Sequence, residues 1–369
     1  MRGVNSKRLL ERFLRYVRCD SESTHERAFC ELLERELLEM GVRVERDEVG
    51  EKCGSDGFDL RAFLPGEGEP LLFSAHLDTV SPGENIEPVV SGGTVTSKGD
   101  TVLGADDKAG VAAVMEALCC ITKEAIPHRP VEVLFSVCEE IGLLGAKYAD
   151  YSAFRSKQAV VLDSSRLGAI VNRGPAIFKL HVEITGRSAH AGMAPEKGAH
   201  ALKAAAEAVA NIPCGHVGED SVMNVGSMQC SGKTNIVPSF AAFDMEIRSF
   251  SEEKAQSLKT AALRAVAAAC QKYGTTYRAE EERDADVLYV PEDSAVVRAL
   301  LEAHAAERRS ATLCGTFGGC DATWLNHNGI EAVNIGTGMQ NVHGTSESIE
   351  ADTLTGTANI VLCLMRGER

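Results

Sequence analysis

Five acids and two histidines fall where short apolar runs of this sequence end. His76 and Asp78 close the run Pro70–His76 as His-Leu-Asp. Residues i and i+2 share one face of a strand, so both side chains point the same way. Glu139 and Glu140 follow the run Val131–Cys138, and Asp163 follows Gln158–Leu162. Asp106 lies in Gly104-Ala105-Asp106-Asp107-Lys108-Ala109-Gly110, a turn that opens directly into a helical pattern. His343 lies in Gln340-Asn341-Val342-His343-Gly344, a loop beyond the run Glu331–Ile335. Close carboxylates raise one another's pKa and burial adds a desolvation cost, so such a cluster requires positive charge among its members. Two divalent cations meet that requirement. Imidazole nitrogens and carboxylate oxygens suit zinc, and paired metals about 3.5–4 Å apart are served by a shared carboxylate.

Taken singly, each residue has a commoner explanation. A lone histidine is usually a core residue, an Asp at a helix start is usually an N-cap, and a Glu pair at a strand end is usually solvated. Their coincidence at strand ends is what carries the metal-site reading. His25, His128, His181, His200, His216, His304 and His327 lack such company and receive no role.

The elements that must position these residues follow from periodicity. Leu9, Leu10, Phe13, Leu14 and Val17, then Phe29, Leu32, Leu33, Leu37 and Leu38, recur at helical spacing and predict two amphipathic helices. Asp20-Ser21-Glu22-Ser23 separates them and offers N-cap residues to the second. Downstream, the apolar runs alternate with helical patterns such as Gly110–Thr122. Continuous apolar strands alternating with helices predict an α/β fold, with a mostly parallel sheet flanked by helices on both faces. Open sheets of this kind bind ligands outside the carboxyl ends of their strands, where all seven residues would gather. From Ala176 the order changes to strand, helix, two strands, helix, strand, the ferredoxin-like β-α-β-β-α-β order. The expected organisation is a body of residues 1–175 and 288–369, with an inserted ferredoxin-like α+β domain at 176–287.

Composition bounds the rest. A chain of 369 residues exceeds the roughly 250–300 at which one core stops growing, so two domains are expected. Apolar residues at 44% and charged residues at 25% exclude a disordered or fibrous chain. The formal charge of −15 argues against nucleic-acid or anionic-membrane partners. No apolar run approaches the roughly 20 residues of a membrane span, and charges scattered through Met1–Arg18 leave no signal-peptide core. Twelve scattered cysteines without a CxxC pair read as reduced thiols, so a cytoplasmic location is expected.

At these residues the chain resembles the co-catalytic zinc exopeptidases, a family that includes peptidase T, carboxypeptidase G, aminoacylase and succinyl-diaminopimelate desuccinylase. The resemblance rests on SAHLDTV (74–80), GADDKAG (104–110), CEEIGLLGA (138–146), VLDSS (161–165), GRSAHAG (186–192) and NVHGTSE (341–347). GADDKAG, EEIGLLGA and GGCDA look closest to the peptidase T-like branch. The resemblance implies two Zn(II) per chain, with cobalt or manganese as substitutes. His76, Asp106 and Asp163 would hold one ion and Asp106, Glu140 and His343 the other, with Asp106 bridging. It makes Asp78 the residue that orients His76, Glu139 the general base, and His190 the donor to the developing oxyanion. Asn235 in KTNIVP and Arg248 in MEIRS match substrate-binding positions.

The implied activity is hydrolysis of the N-terminal peptide bond of short peptides, in the manner of a tripeptide aminopeptidase. A dipeptidase or an N-acyl-amino-acid amidohydrolase would use the same site. A silent binding protein is a remoter alternative, which the intact Glu139 and ligand positions oppose. One position departs from the pattern: where peptidase T carries an Arg before Gly-Gly-x-Asp, this chain has Phe317, and a ring cannot make a bidentate contact with a carboxylate. A homodimer through the inserted domain is a further implication.

Overall fold

The computed structural model describes residues 3–367, which divide into two compact units. The first holds the residues up to Asn172, Tyr289–Gly315 and those from Cys320 onward; the second holds Arg173–Leu288 and Thr316–Gly319.

Four parallel strands form the centre of the first unit's large sheet, in the order Val131–Ser136, Leu71–His76, Gln158–Ser164, Glu331–Gly336. Every residue of the first two is buried. That is the condition of a sheet covered on both faces, and it explains why the runs read as continuously apolar. The register pairs His76 with Ser136, so both of these strands end at the same level. Antiparallel strands extend the sheet at both sides, Asp59–Leu64 and Arg43–Asp47 at one and Ala169–Gly174 at the other. The helix Ala105–Glu124 is buried continuously from Ala105 to Ile121, and the helices Ser6–Val17 and Ala351–Arg366 pack on it. Its small residues, among them Ala109, Gly110, Ala112, Ala113 and Ala117, permit that all-round packing.

Two local expectations are corrected. The second helix starts at Arg27 with Glu26 at its N-cap and no side-chain cap, so Asp20–Ser23 does not cap it. Ser23 Oγ instead donates to Asp78 at 2.7 Å, and Asp20 accepts from the Asn85 amide at 2.7 Å. Those polar residues are claimed by the loop beyond His76. The strand that precedes Glu139 ends at Ser136, and Cys138 takes a left-handed φ of 54°. The Glu139–Glu140 pair therefore rides a turn rather than a strand end.

In the second unit, Ala176–Thr185 lies between Phe240–Ser249 and Thr276–Ala285, and Ser221–Gln229 flanks Phe240–Ser249, with every pairing antiparallel. This is the ferredoxin-like strand arrangement. Phe178, Leu180, Val182 and Ile184 alternate into a core with Phe243, Met245 and Ile247. The helices Ala201–Asn211 and Glu252–Tyr273 close that core with small residues such as Ala204, Ala208, Ala262 and Ala269. Among the described residues, no helix is long and apolar enough to cross a membrane.

Candidate metal centre

The first unit brings His76, Asp78, Asp106, Glu139, Glu140, Asp163 and His343 together at the carboxyl ends of its parallel strands. Asp78 is the joint of the cluster. Its Oδ1 accepts from the Glu139 amide at 2.9 Å, and its Oδ2 accepts from the Glu140 amide at 3.2 Å. One carboxylate thus ties the end of the His76 strand to the turn that carries both glutamates. Burial opposes its charge, yet contact with His76, Ser23 and the Glu139 amide holds Asp78 below the usual carboxylate range.

The orientation of His76 is chemically informative. Its Nδ1 lies 2.9 Å from the Asp78 carbonyl oxygen, which can only accept, so Nδ1 carries a proton. The other nitrogen, Nε2, faces Asp106 Oδ1 at 3.1 Å and Asp163 Oδ1 at 4.0 Å. A ring nitrogen turned toward two carboxylates is stable only with positive charge on that side, supplied by a proton or by a metal ion.

His343 repeats the arrangement. Its Nε2 lies 2.9 Å from Glu140 Oε1 and 3.3 Å from Asp106 Oδ2. The 2.9 Å approach does not meet hydrogen-bond geometry, and Glu140 Oε1 is buried with no hydrogen-bond partner among the described residues. Asp106 therefore presents one oxygen to each imidazole. His76, Asp106 and Glu140, and separately His76, Glu139 and Asp163, can each offer ligand atoms within 4.8 Å of one another.

The electrostatics follow from this crowding. The facing carboxylates of Asp106 and Glu140 push His343 up to about 10 against the opposing effect of burial. Burial disfavours a charged His76, but Asp106 and Asp78 outweigh it and raise the ring well above the usual histidine range. Burial, reinforced by Asp321, Glu140 and Asp78 against the pull of His76, raises Glu139 well above the usual carboxylate range. Asp163 is raised too, by burial and by Glu139 and Asp106.

Local structure explains how these side chains arrive. Asp106 and Asp107 have non-helical dihedrals and are joined by a cis peptide, so the regular helix begins behind them. A Cβ on Gly110 would lie 2.5 Å from Asp107 Oδ1 and 2.7 Å from the Leu162 carbonyl oxygen. Only glycine lets the helix start approach the end of the Asp163 strand so closely. Asp163 is gripped through its backbone: its amide donates to Asn334 Oδ1 at 2.8 Å, and Asn334 Nδ2 donates to its carbonyl at 2.6 Å. His343 and Asn341 take left-handed φ angles of 63° and 52° in the loop that brings the half-exposed His343 ring to Asp106 and Glu140. Two further polar residues support the cluster: Asn334, and buried Asp321, which accepts from Ser136 Oγ and lies in the GGCDA stretch without a role expected of it. Asn334 is a polar residue inside the apolar run Glu331–Ile335, which is the signal for it in the sequence.

His190, Asn235 and Arg248 belong to the second unit. His190 pairs across an isolated bridge with Ile236, and the Ala191 amide donates to the Asn235 carbonyl at 2.9 Å, which makes His190 and Asn235 neighbours. His190 Nδ1 accepts from the amides of Gly192 and Met193 at 3.2 Å each. The neutral ring therefore keeps its proton on Nε2, available to donate. Arg248 is already engaged: Nε and Nη2 grip Glu246 at 2.6 and 3.0 Å, and Nη1 donates to the Phe317 carbonyl at 2.6 Å. The Phe317 ring packs on Phe250 with centroids 4.7 Å apart and on His216 at 5.8 Å.

Residues 72–367 match peptidase family M20/M25/M40. The chain is 34% identical to an uncharacterized Bacillus subtilis (strain 168) protein, YqjE, over 98% of both chains. It superposes on the crystal structure of the aminopeptidase PepT from Bacillus cereus ATCC 10987 with a TM-score of 0.92 and 32% identity, covering 98% of each chain. A tripeptidase from Staphylococcus aureus subsp. aureus Mu50 gives a TM-score of 0.95 at 29% identity, covering 99% of each.

Proposed function

The chain belongs to peptidase family M20/M25/M40, and from that premise we propose that it is a two-metal aminopeptidase hydrolysing the N-terminal peptide bond of short peptides. The observation that carries the reading is the His76 ring, its Nδ1 on a carbonyl and its Nε2 among carboxylates. Buried Glu140 Oε1, without a hydrogen-bond partner among the described residues, fits the same demand for a cation. In this assignment His76, Asp106 and Asp163 hold one ion, and Asp106, Glu140 and His343 the other. Zn(II) suits two imidazoles among carboxylates, with cobalt or manganese as substitutes. The chemistry that such a pair supplies is polarisation of the scissile carbonyl and a lowered pKa for the attacking water.

The chain's own residues do the rest. Glu139, buried and with a raised proton affinity, accepts the proton of the attacking water and passes it to the leaving amine. Asp78 fixes Glu139 through its amide and helps orient His76. His190 donates from Nε2 to the developing oxyanion. Asn235 and Arg248 contact the substrate, Arg248 with the N–H groups that its bonds to Glu246 and the Phe317 carbonyl leave over. We assign the inserted domain of residues 176–287 as the lid that carries these three. A homodimer would use one of the second unit's two edge strands, Gly215–His216 or Thr276–Ala285. No disulfide joins the cysteines among the described residues, which supports a cytoplasmic location.

A substrate panel tests the function. Tripeptides and other short peptides with a free amino terminus should be cut at the first bond. N-acetyl amino acids should be hydrolysed with a kcat/KM at least about 100-fold lower, because a site built for a polar group rejects analogues that lack it. Efficient deacylation without peptide turnover would replace this reading with that of an amidohydrolase.

A further inference from the structure

We infer that Glu347 is a positioning residue that locks the Asp106 turn to the His343 loop, and so sets the spacing of the two-metal site proposed above. Glu347 is 1% exposed. Its Oε2 accepts from the amides of Leu103 and Gly104 at 2.7 Å each, and its Oε1 accepts from the Asp106 amide at 2.9 Å. Three backbone donors thus converge on one buried carboxylate, and charge-assisted bonds of this kind are about twice as strong as neutral ones. Both oxygens are committed to backbone donors, so Glu347 has a task different from that of the seven clustered residues.

The other end of the link is equally well defined. Glu347 lies four residues beyond His343, in a loop closed at its base by reciprocal bonds between Gln340 and Ser348 at 2.8 and 3.0 Å. The Glu347 amide also donates to the Gly344 carbonyl at 3.0 Å, folding the loop back on itself. Ser348 then enters a strand paired with Thr94–Ser97. Glu347 therefore starts from a fixed base and fixes the turn that carries Asp106. Across that link Asp106 Oδ2 and His343 Nε2 stand 3.3 Å apart. A displaced Asp106 would lose its simultaneous approach to His76 and His343.

The inference rests on the two-metal reading, and its test separates the two. Metal-free wild type and Glu347→Gln are titrated with Co(II), following the visible absorption of the bound ion and its affinity by competition with a chelator. The amide keeps the shape but turns a donor toward the Asp106 or Gly104 amide. We expect Co(II) affinity to fall by about 10–100-fold, the usual cost of removing a residue that orients a ligand, with an altered visible spectrum. Glu347→Asp, which keeps the charge on a shorter stem, should recover part of the loss. Should Glu347→Gln fail to fold, Glu347→Asp decides by the same readouts. A lower unfolding temperature with unchanged Co(II) affinity and spectrum would show a purely structural role and overturn the inference. A wild type that binds fewer than two Co(II) overturns the two-metal reading itself, and this inference with it, a result visible without any substitution.

Discussion

Glu139→Gln is expected to keep the full metal content of the protein while lowering kcat by about 10²–10⁴-fold, the range that a positioned general base contributes. The substitution keeps shape and burial and removes only the ability to take a proton. Glu139 is suited to that task because its amide is held by Asp78, and burial with neighbouring acids raises its proton affinity. The competing assignment has a definite geometric basis, since Glu139 can offer a ligand atom beside His76 and Asp163. Metal analysis of Glu139→Gln alongside Glu140→Gln decides between them. The first should match wild type and the second should lose metal. Equal loss in both variants would make Glu139 a ligand and leave the base unassigned.

Asp106→Asn is expected to have the larger effect on metal. Asp106 gives Oδ1 to His76 at 3.1 Å and Oδ2 to His343 at 3.3 Å, so both halves of the cluster depend on it. An amide offers one acceptor oxygen and turns an NH₂ group toward the other side. Metal per chain should fall from two to one or fewer. Loss of about 4 kcal/mol of transition-state charge stabilisation corresponds to about a 10³-fold fall in kcat/KM. Analysis of metal content and tripeptide turnover on the same preparation checks both. A variant that retains two ions and most of its activity would exclude Asp106 as the shared ligand.

Much of the candidate site is legible in the sequence because buried parallel strands are apolar along their length. The polar residues that end such runs stand out, and His76 and Asp163 do so at the ends of theirs. The helix after Asp106 is legible as a long apolar and small-residue run buried on all sides, and Ala176–Thr185 of the second unit is legible because one-face burial imposes a period of two. What escapes the sequence is held by contacts between distant segments. Glu347 and Leu103 are 244 residues apart, and Asn334 and Asp163 are 171 apart, so no local pattern announces either pairing. The second helix illustrates the opposite error. Asp20–Ser23 has the composition of a cap, but Ser23 is drawn away by Asp78. Gly110 reads as one glycine of a turn, and only the approach of Leu162 shows why no side chain fits there. The flanking antiparallel strands Arg43–Asp47 and Ala169–Gly174 carry charged residues that weaken the apolar signal.

We propose this cluster of acids and imidazoles as a two-metal catalytic centre. It is tested most directly by measuring bound metal per chain and tripeptide turnover together, before and after chelation and after Zn(II) is restored. Two ions per chain are expected in the active protein, with loss of turnover as they are removed and recovery as the second ion returns. A folded protein that cleaves tripeptides at full rate without bound metal would contradict it.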